Sequence, residues 1–238
     1  MQSVKGKKVL VMGATGGIGA ATARLLAGSG AHVFLAGRNA EKLHALAASL
    51  QLPVTQVAVC DISNAQQVAD LYQQYVAALG TIDILINATG IGIIKPVEQL
   101  TEQDFLQSLH TNLYGTFLLV RAFLPLMKVA KQGLIINIPG VLGKVPMAGA
   151  AAYSASKYGL VGMMQSIREE VKRTEIRITN LFLGGVDSPF WDTIDLRVQR
   201  DKMIRAEEAA KAIWFLCQQP ASGVVSEMVL QPFNHQAI

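Results

Sequence analysis

Seven short runs rich in Val, Ile and Leu punctuate the chain: "KVLVMG" (8–13), "HVFLAG" (32–37), "VTQVAV" (54–59), "IDILIN" (82–87), "LIINI" (134–138), "RITNLFL" (177–183) and "EMVLQP" (227–232). Most lack the apolar–polar alternation of a strand with one wet face, so they read as strands buried on both sides of a parallel sheet. Between them, apolar residues recur at helical spacing over about 17–29, 40–50, 64–79, 102–130, 152–174 and 207–219. Strand then helix, repeated, predicts an α/β fold: one doubly wound parallel sheet of about seven strands, with right-handed crossovers and helices on both faces. Local signals agree with this order. Ser63 or Asn64 can cap the helix in "DISNAQQVADLYQQY", and Thr101 precedes acids that complement a helix dipole.

Composition narrows the picture. With 238 residues, 51% of them hydrophobic, the chain can bury a large core, and residues 1–238 are expected to form a single domain. The net charge of +4 is spread among acids, as in "RDKMIRAEEAAK", which reads as a solvated helix face and not as a nucleic-acid site. Cys60 and Cys217 lack a CxxC or Cys/His companion, so neither a metal site nor a disulfide framework is signalled, and a reduced, cytoplasmic setting is expected. The apolar segment after the N-terminal charges is too short for a signal-peptide core, and no stretch approaches the ~18 apolar residues of a membrane span.

In such sheets ligands collect beyond the carboxyl ends of the strands. The first loop there is "GATGGIG", with Gly13, Thr15, Gly16, Gly17, Ile18 and Gly19 between strand and helix. Small residues let the backbone approach a pyrophosphate, and the N–H groups opening the helix supply donors and a positive dipole end. The second strand ends "VFLAGRN": Gly37 stands where an NAD-binding acid would be, and Arg38 offers a planar charged donor for a 2′-phosphate. NADP(H) is therefore favoured over NAD(H), unless Arg38 only decorates a surface loop. Asp61 after the third strand either accepts from an adenine amine or begins the next helix.

Taken together, "GATGGIG", "CDI", "DILINATGI", "TNLYGTF", "YSASK" and "LGGVDSP" resemble the short-chain dehydrogenase/reductase family, in family order and spacing over nearly the whole chain. The resemblance implies a Rossmann-type domain that moves hydride between a nicotinamide and a carbonyl or secondary alcohol, often as a homodimer or homotetramer. It casts Tyr153 as general acid/base, Lys157 as the ribose-binding residue that lowers the tyrosine pKa, and Asn112 as a backbone organiser behind a proton-relay water. Ile62 beside Asp61, the turn Asn87, Ala88, Thr89 and Gly90, and Gly185, Val186 and Ser188 would complete the cofactor site. Tyrosine, with an unperturbed pKa near ~10, needs a cation close by to work near neutrality, and four residues along a helix puts Lys157 on its face.

One departure touches the chemistry. The family's catalytic serine lies in a segment that here reads "IINIPG", so its position is Gly140, with Pro139 before it. Losing one donor of this kind typically costs ~2.7–4 kcal/mol in the barrier. A water, a polar group on the substrate or a backbone N–H of the Pro-Gly turn could stand in, and Gly140→Ser is the direct test. The segment 186–206 reads as a substrate lid. Phe190, Trp191, Ile194 and Leu196 are candidate pocket walls, Met147 a candidate opposite wall, and Arg197 or Arg200 a candidate partner for an acidic substrate group. The small and apolar residues of the 102–130 and 152–174 helices suggest self-association. Two readings result: an NADP(H)-dependent oxidoreductase of weakened or narrowed activity, and a catalytically silent nucleotide-binding regulatory or scaffold protein.

Overall fold

In the computed structural model, which describes residues 2–233, the seven runs become strands of one parallel sheet. These are β1 (Lys8–Met12), β2 (His32–Gly37), β3 (Val57–Val59), β4 (Ile84–Asn87), β5 (Gln132–Asn137) and β6 (Glu175–Leu183), then, after a small ribbon of β7 (Val186–Asp187) and β8 (Ile204–Arg205), β9 (Glu227–Leu230). Their order is β3-β2-β1-β4-β5-β6-β9. The chain winds outward from β1 to β3, then returns to place β4 beside β1, with Met12 level with Asn87. That reversal opens a crevice at the carboxyl ends of β1 and β4, the place where a ligand fits such a sheet.

Seven helices cover the faces: α1 (Gly17–Gly28), α2 (Ala40–Ser49), α3 (Ala65–Leu79), α4 (Glu102–Leu109), α5 (Gly115–Ala130), α6 (Ala151–Val171) and α7 (Ala206–Leu216). Because side chains alternate across a strand, each strand feeds two cores. Val9, Val11, Leu35, Ile86 and Ile136 pack with Leu26, Leu43, Ile213 and Leu216 of α1, α2 and α7. Leu10, Met12, Phe34, Leu85 and Ile135 pack with Leu71, Tyr75, Phe123, Leu160 and Met164 of α3, α5 and α6. At the centre of the second core, Tyr75 meets Phe123 edge-on at 5.4 Å and Phe34 at 5.2 Å, while its hydroxyl donates to the Thr81 carbonyl.

Helix starts follow side-chain chemistry. Asn39 accepts from the Lys42 N–H (2.8 Å), and Asn64, not Ser63, caps α3 through the Gln67 N–H (3.1 Å). Thr101 and Asp104 satisfy each other's backbone N–H groups in a capping box.

The structure departs from the sequence pattern in three places. Val54–Gln56 form a short 3₁₀ turn after Pro53, with Val54 exposed, so only Val57–Val59 pair with β2. The 102–130 helix is broken by a π-helical turn at His110–Tyr114. That same stretch is long and apolar enough to cross a membrane by length and composition, contrary to the reading of the sequence, yet Leu119, Phe123 and Met127 are buried against the sheet. The final strand stops at Leu230, and the tail beyond residue 233 lies outside the described residues.

Phe123 has no exposed surface and touches Tyr72 and Tyr75. Phe123→Ala is expected to lower stability by about 3–5 kcal/mol, read as a drop in denaturant midpoint with an unchanged slope.

Candidate active site

The crevice begins at the glycine loop. Gly13 has φ +85°, and a Cβ there would lie 2.8 Å from the Ala88 carbonyl group; a Cβ on Gly19 would lie 2.1 Å from the Gly13 oxygen. The loop is therefore closed tightly over bare backbone. Unlike α2, α3 and α4, α1 has no side-chain cap, and its first turn holds no acid. Its opening N–H groups are left to an external acceptor, and glycine at 16 and 17 lets that acceptor come close, which fits a dinucleotide pyrophosphate.

Gly37 at the end of β2 is buried, and a Cβ on it would press to 3.2 Å from the Thr15 hydroxyl oxygen. Thr15 thus fills the place of a carboxylate at 37. Arg38 is exposed, with no hydrogen bond or ion pair among the described residues. Asp61 receives hydrogen bonds from the Ser63 N–H (2.9 Å) and hydroxyl (2.7 Å). Burial would raise its pKa, but the Ser63 bonds and the charge of Arg38 outweigh this and hold it below its ordinary value. Ile62 is buried against Gly115.

Beyond β4, Asn87 accepts from the Thr89 N–H and hydroxyl and donates to the Thr116 hydroxyl (2.8 Å). Thr116 in turn donates to the Asn112 carbonyl (2.8 Å). Asn112, in the π turn, clamps the Ile91 backbone from both sides: its Oδ1 accepts from the Ile91 N–H (2.9 Å) and its Nδ2 donates to the Ile91 carbonyl (3.0 Å). The same Nδ2 reaches the Ser156 hydroxyl (2.9 Å), which donates to the Tyr153 carbonyl (2.7 Å). One network joins the β4 loop, the π turn and α6. Thr116 and Ser156 were not among the sequence candidates. Their spacing, four residues after Asn112 and three after Tyr153, is the signal that finds them.

Tyr153 and Lys157 both open on the cavity. Lys157 is 2% exposed, its Nζ donates to the Ile138 carbonyl (3.3 Å), and it lies 5.6 Å from the Tyr153 ring centre. Gly90 makes room for it: a Cβ there would lie 3.1 Å from Nζ. Lys157 is the residue expected to lower the tyrosine pKa, and burial is the effect that acts on both groups here. Burial raises the Tyr153 phenol well above its ordinary range and pulls the Lys157 ammonium down to about 8, so the same apolar walls that favour the neutral phenol weaken the cation meant to oppose them.

Gly140 also departs from a plain serine-to-glycine loss. It holds φ +71° and ψ 169°, a region essentially restricted to glycine. A Cβ on it would point to 3.9 Å from the Tyr153 hydroxyl and 3.5 Å from the Leu183 carbonyl oxygen. Gly140→Ser would therefore strain the backbone as well as add a hydroxyl, so it is no clean test of that hydroxyl.

The lid folds down on this floor. A Cβ on Gly17 would meet that of Ser188 at 2.8 Å, and one on Gly92 would meet the Phe190 ring at 2.4 Å and Ile194 at 3.0 Å. Phe190 lies 6.0 Å from the Tyr153 ring and edge-on to Trp191, whose Nε1 donates to the Val186 carbonyl (2.9 Å). The cavity measures about 620 Å³ and runs from Gly16–Ile18 past Ala88, Thr89, Gly90, Gly185, Val186 and Ser188 to Tyr153. Phe190, Trp191 and Met147 line it as expected, with Leu142, Val145 and Met203; Ile194 packs behind Phe190, and Leu196 is exposed outside it. Arg197 does not line it. Arg200 is consumed within the lid, bonded to Asp187, to Asp192 (2.7 Å) and to the Ser188 carbonyl (3.0 Å). Lys202 and Gln199 reach the lining instead, and among the described residues no carboxylate does.

The model of the short chain dehydrogenase family matches residues 7–198. An uncharacterized oxidoreductase of Staphylococcus epidermidis is 30% identical over 232 residues, covering 98% of this chain and 100% of its own. A 3-oxoacyl-acyl-carrier-protein reductase of Rickettsia bellii is 32% identical over 235 residues, covering 95% of each. Among solved structures, a metagenomic short-chain oxidoreductase in complex with NADP is 33% identical, with a TM-score of 0.83 over 97% of this chain and 99% of its own. An alcohol dehydrogenase from the archaeon Thermococcus sibiricus, complexed with 5-hydroxy-NADP, shares the fold at 24% identity and a TM-score of 0.89, over 98% of this chain and 100% of its own.

Lys157 keeps its proton to about 8 in the fold but to its ordinary value of 10.5 in the unfolded chain, so between these values the unfolded state binds more protons. Its burial costs on the order of 3 kcal/mol below pH ~8, and that cost is relieved as pH rises through this window. Thermal melts of the parent and Lys157→Met from pH 7 to 10 are expected to show the parent gaining on the variant as pH rises; parallel curves would contradict the shift.

Proposed function

The chain belongs to the short-chain dehydrogenase/reductase family, and from that premise we propose that it is an NADP(H)-dependent oxidoreductase interconverting a small-molecule carbonyl and a secondary alcohol. The observation that carries this reading is the single cavity whose walls include both the uncapped start of α1 and the Tyr153–Lys157 pair. When bound, the nicotinamide supplies or takes up hydride. Gly13, Thr15, Gly16, Gly17, Ile18 and Gly19 would hold the pyrophosphate, Arg38 the 2′-phosphate, and Asp61 with Ile62 the adenine edge. Asn87, Ala88, Thr89 and Gly90, with Gly185, Val186 and Ser188, would flank the nicotinamide half. The metagenomic relative in complex with NADP supports the choice of coenzyme, as do the filled space at Gly37 and the unpaired guanidinium beside it.

Tyr153 delivers the proton. Burial keeps the phenol protonated, the form that donates to a carbonyl oxygen. Lys157, tied to the Ile138 carbonyl, sits where it can bind a ribose hydroxyl and restore that proton. Asn112 fixes the β4 loop against α6 and so keeps cofactor floor and proton donor in register. Phe105, Leu106, Tyr114 and Phe117, exposed on α4, the π turn and α5, support a homodimer or homotetramer within the same reading. The second reading, nucleotide binding without turnover, rests on Gly140 alone.

Two measurements test the proposal. NADPH oxidation against a panel of ketones, aldehydes and quinones should detect turnover, and Tyr153→Phe should cut it by about 10²–10⁴-fold while NADPH binding, followed by fluorescence, persists. Binding with no turnover on any compound would favour the silent reading. Arg38→Ala should weaken NADPH by about 10–100-fold and leave NADH nearly unchanged; an equal loss for both would remove Arg38 from the phosphate site.

A further inference from the structure

The space beside the Tyr153 hydroxyl has a defined chemistry. Glycine at 140 is dictated by its backbone; apart from its chain neighbours, and among the described residues, the Cβ it lacks would have within 4 Å the Leu183 carbonyl oxygen, at 3.5 Å, and the Tyr153 hydroxyl, at 3.9 Å. Gly140, Leu183 and Tyr153 all line the cavity, so the spot is reached from the substrate side. A carbonyl acceptor asks for a donor. A second carbonyl on the substrate would set two acceptors against each other, and an ammonium would find no carboxylate among the described residues of the lining. A neutral hydroxyl meets both neighbours: it donates to Leu183 and lies against the phenol. Ile94, Leu142, Val145, Met147, Phe190 and Trp191 give the cavity a largely apolar wall, to which Gln199 and Lys202 add polar ends.

We propose that the substrate is an apolar α-hydroxy ketone, whose own hydroxyl occupies the space left by Gly140, reduced to a vicinal diol. The inference rests on the oxidoreductase reading above. The carbonyl carbon gains the nicotinamide hydride, two electrons in all, and the C=O π bond becomes a C–O–H bond with the proton of Tyr153. The coenzyme is oxidised, and the phenol is reprotonated from solvent by way of Lys157. The hydroxyl on the neighbouring carbon keeps its atoms and serves as the positioning donor that a protein hydroxyl would otherwise provide.

The test uses three matched probes with NADPH: 2-hexanone, 1-hydroxy-2-hexanone and 2,3-hexanedione. The hydroxy ketone should exceed both others in kcat/KM by at least about tenfold. Calorimetric titration of the NADP⁺-saturated protein should show it binding more tightly than 2-hexanone. Because a Cβ at position 140 would strain the backbone in any variant, the parent's probe series and the titration decide. Equal kcat/KM or equal affinity for 2-hexanone and the hydroxy ketone overturns the proposal, with water then the filler, and leaves the oxidoreductase reading intact. Turnover of the general panel without any of these three overturns the proposal alone, and turnover of nothing overturns both.

Discussion

The buried amide of Asn112 is the constraint on which the crevice depends. A carboxamide has an acceptor and a two-proton donor, and here all of it is spent: on both polar groups of Ile91 and on Ser156. The π turn exists to place it. Widening the helix by one residue between α4 and α5 turns Asn112 toward the β4 loop, while Thr116 caps the carbonyl that the widened turn leaves over. Without that amide, the Ile91 N–H and carbonyl would lose their partner, and the β4 loop would lose its tie to the helix that bears Tyr153.

Glycines do the complementary work of making room. Those at 13 and 19 close a loop, the one at 37 yields to Thr15, that at 90 admits Lys157, and those at 17 and 92 seat the lid. Each position has a different neighbour, and in each the missing methyl group defines where another group sits. Gly140 belongs with them: its torsion angles, and not only its missing side chain, set what lies near the phenol.

The layout of the sheet was legible because its signals are local. Runs without alternation mark strands buried on both faces, and turn residues mark helix starts. The positions of Tyr153, Lys157 and Asn112 followed from motif spacing: Asn112 is tied through Ser156 to the Tyr153 carbonyl, and Lys157 stands beside Tyr153 on the cavity wall. What stayed hidden depends on tertiary packing. The π turn has no propensity signature, since it answers to a partner on another loop. The fate of Arg200 turned on two aspartates that only the folded lid brings to it. The weakening of Lys157 is a burial effect that no spacing encodes, and the glycine-only torsions at 140 cannot be read from the letters P-G alone.

The lid is held together from within. All three partners of Arg200 belong to the segment that carries it, and the Trp191 indole is likewise bonded to Val186 at the segment's root. Against the body of the protein it rests instead on side chains laid over bare backbone at Gly17 and Gly92. The segment's polar groups are thus spent on its own cohesion, while its seat on the body, including the Phe190 ring beside Tyr153, is van der Waals contact, which dissolved salt hardly touches.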